Sequence, residues 1–169
     1  MKTSRIDMSD VIIRDFSPDD IDIYQEGFRC LSNKSLRSRF NSAIKQLTSF
    51  QLKYLTEIDY TNHYACCALV IIDGRTHGLG LARFVRLNEK SDIAEYALTV
   101  IDDYQRQGVG SMLFAYLIEK ARERGIIILR GYIQSDNEPM LSMVRKLVHR
   151  MKHEGGNLLS VDIDIAPNP

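Results

Sequence analysis

The sequence lacks the features that mark several common classes of protein. Lysine plus arginine and aspartate plus glutamate both number 22, so the chain carries no net charge and lacks the basic excess of a general nucleic-acid-binding protein. The longest apolar run, residues 65–72, is far too short to span a bilayer. The polar first ten residues contain no signal-peptide core. We therefore expect a soluble, cytoplasmic protein that binds neither nucleic acid nor membrane.

Cysteine is scarce, and its spacing does not suit a disulfide framework or a metal site. The three cysteines are Cys30, Cys66 and Cys67, an odd number with no CxxC or Cys/His ligand spacing. The four histidines also lack metal-ligand spacing. The sequence therefore predicts no metal site and a reducing compartment.

Proline and glycine are also sparse, at 4 and 10 residues, and no repeat or internal linker divides the chain. A length of 169 residues fits one domain. We expect a single domain over residues 1–169, with flexible ends at about 1–9 and 166–169.

Hydrophobic periodicity predicts elements in the order β-α-α-β-β-β-α-β-α-β. The predicted strands span residues 11–15, 64–72, 78–86, 92–101, 126–133 and 158–165. The predicted helices span 17–31, 35–41, 108–124 and 136–154, and 49–57 is a further helical segment. The strand–helix–strand unit at 92–133 should join two parallel strands. The predicted fold class is α/β (α+β), with one mixed, mostly antiparallel, twisted sheet and helices on both faces.

The most informative segment is Gln-Arg-Gln-Gly-Val-Gly at residues 105–110, between a predicted strand and an amphipathic helix. A glycine-rich turn at a helix N-terminus presents several backbone N–H groups and the positive end of the helix dipole, which suits phosphate. The Walker pattern does not occur, and Leu113 stands where the dinucleotide pattern needs a third glycine. The pattern that remains is Gln-x-x-Gly-x-Gly.

This hexapeptide resembles the pyrophosphate-binding signature of the GNAT superfamily of N-acetyltransferases. The strand at 94–100, the length of the following helix and Asn137 at the start of the next helix are also similar to that family. The resemblance covers about residues 92–150, and the order of elements agrees over the whole chain. It implies a GNAT-like domain that uses acetyl-CoA as co-substrate and acetylates a primary amine, on a protein lysine or a small molecule, by direct attack in a ternary complex.

The resemblance also implies roles for individual residues. The backbone amides that would hold the CoA pyrophosphate are those of Gln105, Arg106, Gln107, Gly108, Val109, Gly110 and Ser111. A β-bulge in the preceding strand would open a cofactor slot, and Asn137 would contact the cofactor near the thioester. Glu95 matches the position of the general base in some members. The backbone that would pair with the pantetheine arm as an extra strand is that of Leu98, Thr99 and Val100.

The requirements of acyl transfer point to the same strand. A protonated amine cannot attack a thioester, so some group must accept its proton, directly or through water. A carboxylate with a raised pKa suits that task, although strand carboxylates more often form weak surface ion pairs, and both readings of Glu95 stay open. A strand N–H near Leu98 or Thr99 could stabilise the oxyanion.

The chain departs from the family pattern after Asn137. Many members have a tyrosine acid seven residues later and then a Gly-Phe pair, whereas this chain has Val144 and then Val148-His149. A tyrosine acid at that position is excluded, and the loss of the glycine predicts that the helix runs on toward His153. The remaining options for the acid are water, Ser142, Tyr132 or none. An alternative function is a non-catalytic acyl-CoA-binding sensor module.

The acceptor side carries a second resemblance. Residues 35–40 and 54–60, followed by His63, are similar to acceptor-side segments of bacterial protein-lysine acetyltransferases. Arg37 and Arg39 are expected to be surface charges that could meet an acidic acceptor or the CoA 3′-phosphate. A homodimer could form through the outer face of the last strand.

Overall fold

The computed structural model describes residues 5–40 and 46–166, which form a seven-stranded sheet and five α-helices. The strands are β1 (Ile12–Asp15), β2 (His63–Ile72), β3 (Arg75–Arg86), β4 (Ile93–Val100), β5 (Ile128–Gln134), β6 (Val148–Gly155) and β7 (Leu158–Asp164). The helices are α1 (Ile21–Arg29), α2 (Asn33–Phe40), α3 (Ser49–Thr56), α4 (Val109–Glu123) and α5 (Glu138–Val144). Parts of three predicted segments, at 1–4, 41 and 167–169, lie outside the described residues. Among the described residues, no helix is both long enough and apolar enough to cross a membrane.

The strands follow the order β1-β2-β3-β4-β5-β7-β6 across the sheet. β4 and β5 are parallel and are joined through α4, while the other neighbouring pairs are antiparallel. The predicted mixed sheet with one parallel crossover is confirmed.

Helices cover both faces of the sheet. Two glycines on either side of a bulge in β3 face different helices, α1 and α4. Ala68 and Leu69 pair with Gly80 and Gly78, which leaves Leu79 as an extra residue. Because the extra residue reverses the alternation of faces, a Cβ at Gly78 would lie 3.0 Å from Ile23 of α1, whereas one at Gly80 would lie 3.0 Å from Leu113 of α4. The core lies under α4, and its completely buried residues include Tyr64, Phe84, Leu113, Leu117 and Leu129.

The prediction of one helix over 136–154 is wrong. α5 ends at Val144, and the chain then forms β6, which pairs antiparallel with β7. Gly155 and Gly156, interpreted as helix breakers, instead form a hairpin turn with φ values of +120° and +55°, a region that glycine enters at little cost. The apolar residues of 140–151 are spaced as in an amphipathic helix, but pairing with β7 outweighs this local preference for a helix.

The hairpin also corrects the expected dimer surface. β7, the last strand, is flanked by β5 on one edge and β6 on the other. Its backbone is therefore not available to pair with a second copy. Among the described strands on this side of the sheet, the outer edge belongs to β6.

Candidate active site

A gap between β4 and β5 forms the centre of the candidate site. The two strands pair only from Ile93 with Ile128 to Glu95 with Arg130, and they separate beyond that point. The expected β-bulge in β4 is not observed, since β4 pairs with β3 in regular register over residues 94–100. The described bulge lies one strand away, in β3.

A tyrosine ring occupies the point where the strands separate. Tyr96 follows the last paired residue of β4, and its cross-strand neighbour in register is Gly131. A Cβ at Gly131 would lie 2.6 Å from the Tyr96 ring and hydroxyl, so the ring fills the place of a side chain on β5. The buried hydroxyl has no hydrogen-bond partner among the described residues, and burial raises the pKa of Tyr96. Glycine at 131 is therefore required for this packing.

The gap opens into a cleft of about 400 Å³ between α2, β4, β5, α5 and the loop before α4. The predicted site residues that line it are Glu95, Leu98, Thr99, Val100, Gln105, Arg106, Gly108, Gly110, Ser111 and Asn137. Val109 instead faces the core and is completely buried. The side-chain amide of Gln107 donates to the Asp103 carbonyl and accepts from the Ile6 N–H. The cleft therefore gathers ten of the twelve predicted residues.

The loop before α4 is held by its own side chains and by α2. Gln105 Nε2 donates to the Val100 carbonyl at 2.9 Å and to Ser35 Oγ at 3.1 Å, and Ser35 Oγ donates to Asp102. Arg106 and Gly108 have positive φ values, +59° and +101°, which turn the chain into the helix. The first turn of α4 then presents N–H groups that have no acceptor within the helix.

Segment 5–10 packs against the same loop. The Ile6 N–H donates to Gln107 Oε1 at 3.1 Å. A Cβ at Gly108 would lie 3.4 Å from the terminal methyl of Met8. Met8 to Asp10 form a 3₁₀ turn, so this part of the expected N-terminal tail contacts the candidate site.

Hydrogen bonding determines which backbone groups of β4 face the cleft. The Ile101 N–H donates to the Leu79 carbonyl of β3 at 2.9 Å. Because successive N–H groups of a strand point to opposite edges, the Thr99 N–H also points to β3. The N–H groups of Leu98 and Val100 point to the open edge.

Side chains of β4 and β5 that face away from α4 form the other wall of the cleft. Glu95, which is exposed, Thr99 and Tyr132 belong to this wall. Arg39 reaches it from α2 and attracts Glu95 electrostatically. Arg39, predicted to be a surface charge, is instead half-buried in the cleft, and burial lowers its pKa.

Behind this wall lies a basic residue that sequence reasoning missed. Arg83 is 3% exposed, and burial, followed by the charge of Arg39, lowers its pKa to about 10. Its Nη1 donates to the Leu55 carbonyl at 3.0 Å and lies 3.1 Å from His63 Nε2. Burial, followed by the charge of Arg83, lowers the pKa of His63 to about 4. His63 is therefore neutral near pH 7, and its Nε2 can accept from Arg83.

The residues after β5 differ in their relation to the cleft. Asn137 Oδ1 accepts from the Met140 N–H at 3.3 Å and caps α5. Val144, at the position of the missing tyrosine, is completely buried in the core. Tyr132 lines the cleft and is 37% exposed, whereas Ser142 is not among the cleft residues.

The comparisons with known proteins identify the family. The model of the acetyltransferase (GNAT) family matches residues 32–149. The chain belongs to this family. GNAT acetyltransferases use acetyl-CoA as the acetyl donor, so the family assignment names the molecule that the cleft should bind.

The chain is similar in sequence to a curated acetyltransferase and in fold to solved GNAT structures. The chain is 31% identical to the acetyltransferase Pat of Mycolicibacterium smegmatis over 156 residues, which make up 92% of this chain and 46% of the relative. It therefore spans less than half the length of that relative. The GNAT domain of S. lividans PAT has the same fold, with a TM-score of 0.80, 22% identity and coverage of 90% of this chain and 89% of that one. The yncA protein of Salmonella typhimurium, solved with its cofactor acetyl-CoA, matches with a TM-score of 0.71, 16% identity and coverage of 94% and 96%.

Proposed function

We propose that this GNAT chain is an acetyl-CoA-dependent N-acetyltransferase that acetylates a primary amine by direct attack in a ternary complex. The observation that carries the proposal is the arrangement of one cleft. The cleft is lined by an unpaired strand edge, by the N-terminus of a 15-residue helix and by the carboxylate of Glu95. These are the groups that an extended amide chain, a pyrophosphate and a protonated amine require.

The loop and helix suit the pyrophosphate. The free N–H groups at the start of α4 and the positive end of its dipole favour a phosphate. We assign this role to the backbone of residues 105–111. The Gln105 and Gln107 side chains contribute by bracing the loop, because their amides bond to Val100 and Asp103.

The open edge of β4 suits the pantetheine arm. The arm contains amides that can pair with an exposed strand edge, and the outward N–H groups are those of Leu98 and Val100. Thr99 lines the cleft through its side chain. Asn137 uses its oxygen to cap α5, so its amide nitrogen is the group to contact the cofactor.

Glu95 is the proposed general base. As the amine nitrogen bonds to the carbonyl carbon and the carbon–sulfur bond breaks, Glu95 accepts a proton from the amine, directly or through water. The Leu98 N–H, three residues further along β4 and at its open edge, is the proposed donor to the oxyanion. The leaving thiolate has an intrinsic pKa of about 8.5, so an acid is not essential. Of the two side chains considered for that role, Tyr132 lines the cleft.

The acceptor side favours a protein lysine as the first amine to test. The segments that resemble protein-lysine acetyltransferases form α2 and the end of α3, next to the Glu95 wall. α3 exposes two aromatic side chains, Phe50 at 79% and Tyr54 at 52%, and exposed aromatic residues are common in protein contacts. A small-molecule amine is the competing acceptor.

The first test is the melting temperature with and without acetyl-CoA, with an adenine nucleotide of matched charge as the control. Saturation at about 100 times the Kd adds about 2.7 kcal/mol, a shift of roughly 5–10 °C for a domain of this size. The second measurement is thiol release with lysine peptides and small amines. No shift with acetyl-CoA overturns the proposal, and a shift without thiol release for any amine favours the sensor module.

A further inference from the structure

A second cavity lies on the opposite side of β4 from α4. It has a volume of about 60 Å³ and lies between α1, α2 and the strands β2 to β4. Most of its wall is carbon, contributed by Phe16, Ile23, Phe28, Leu31, Leu69 and Leu81. Gly27 and Gly78 also line it, and side chains at these two positions would point toward Ile101 and Ile23 of its wall, so their absence leaves the space open.

The cavity borders the cleft. Thr99 and Arg39 line both spaces. Thr99 directly follows Leu98, the proposed oxyanion donor, so the cavity begins beside the position proposed for the acyl carbonyl. The Thr99 hydroxyl is buried and has no partner among the described residues, which leaves a polar atom without a partner at this junction.

We propose that the cavity receives the end of an acyl chain longer than acetyl, such as propionyl or butyryl. This inference rests on the proposed binding of acyl-CoA in the cleft. A cavity of about 150 Å³ holds benzene, which has six carbons. By the same ratio a cavity of about 60 Å³ holds about two carbons, and butyryl has two more than acetyl. The transfer itself is unchanged: the amine attacks, the thiolate leaves and Glu95 takes the proton.

Because Arg39 at the junction is positively charged, a competing occupant is an acyl chain with a terminal carboxylate, such as succinyl. The wall beyond Arg39 argues against it. The other ionisable residues of the wall include Asp20, a carboxylate that accepts two hydrogen bonds from Arg14. A second carboxylate in the same apolar space would be repelled and poorly solvated.

The test measures affinity, so it does not depend on turnover. Calorimetry of the full chain with acetyl-, propionyl-, butyryl- and succinyl-CoA gives the effect of chain length. Each buried methylene contributes about 0.8 kcal/mol, so butyryl-CoA should bind about fifteenfold more tightly than acetyl-CoA. Equal affinity, or tighter binding of succinyl-CoA, overturns the inference.

Variants that fill the cavity locate the effect. Leu81→Phe should abolish the gain from chain length and leave acetyl-CoA affinity within about twofold, while Leu147→Phe, outside the cavity, should retain the gain. Gly27→Ala is a milder second variant, since its Cβ would lie 3.3 Å from Ile101 Cδ1 and alanine favours a helix; it should reduce the gain. A gain that survives both filling variants overturns the inference. Binding of acetyl-CoA without any gain in wild type refutes this inference alone, whereas no binding of any acyl-CoA refutes the proposed function as well.

Discussion

Replacing Gly131 by alanine forces a methyl group into the space that the Tyr96 ring occupies. The new Cβ would lie 2.6 Å from Cε1, Cζ and the hydroxyl of Tyr96, about 1 Å inside ordinary carbon contact. The ring has little room to move, because only 4% of Tyr96 is exposed and Phe114 packs against it with ring centroids 5.2 Å apart. Overpacking of this kind costs about 1–3 kcal/mol. We expect Gly131→Ala to lower the melting temperature by roughly 3–10 °C.

A double-mutant cycle tests whether the ring is the cause. Tyr96→Phe keeps most of the clashing atoms and removes a hydroxyl without a partner, so it should be nearly neutral alone and relieve little of the cost. Tyr96→Leu removes the ring and should destabilise the protein by itself, but Gly131→Ala should then cost almost nothing further. The measurement is the free energy of unfolding in urea. The steric reasoning fails if Gly131→Ala is as stable as wild type, or if its cost is unchanged in the Tyr96→Leu background.

Three further predictions concern charged and titratable groups. Glu95→Gln should bind acetyl-CoA normally but release thiol at least about a hundredfold more slowly, with the exposed Glu89→Gln as control; an unchanged rate removes Glu95 from the mechanism. His63 has a pKa of about 4 in the folded chain against 6.5 when unperturbed, so the unfolded state binds more protons between these values. Stability should therefore fall as the pH drops from 6.5 toward 4, and His63→Gln should lessen that fall in melts at several pH values; identical pH profiles contradict the assignment. Arg14→Met leaves the buried Asp20 carboxylate without the two 2.7 Å hydrogen bonds that it accepts from the guanidinium. The free energy of unfolding should fall by about 1–3 kcal/mol. The melting temperature should therefore drop, whereas the same change at an exposed arginine should leave it unaltered.

Local signals were sufficient to predict the turn and the helix at the centre of the candidate site. The glycine turn at 105–110 and the amphipathic helix after it combine two independent local features, turn chemistry and a 3.6-residue period, and the structure confirms both. The meander before them was predictable because each strand is bounded by turn residues. The fold class follows from that order of elements.

The missed features depend on contacts that local sequence does not reveal. Residues 140–151 have a helical apolar spacing, and only pairing with β7 makes the second half a strand. The Gly155-Gly156-Asn157 turn before a predicted strand was the signal that could have revealed the hairpin. Arg39 lies far from Glu95 in sequence and Arg83 lies on the neighbouring strand, and the fold places both on the same side of the sheet as Glu95. A basic residue in a strand usually faces water, so nothing in its neighbours predicted that Arg83 is buried.

The contact between segment 5–10 and the loop before α4 provides a route by which docking of the segment and ligand binding at the loop can affect each other. The Ile6 N–H and the Met8 methyl rest on Gln107 and Gly108, the turn proposed to cradle the pyrophosphate. If acetyl-CoA binds more tightly when this segment is docked, then by reciprocity it strengthens docking by the same factor. A force or a binding partner that pulls segment 5–10 away from the loop would then weaken acetyl-CoA binding at the turn proposed to hold the pyrophosphate.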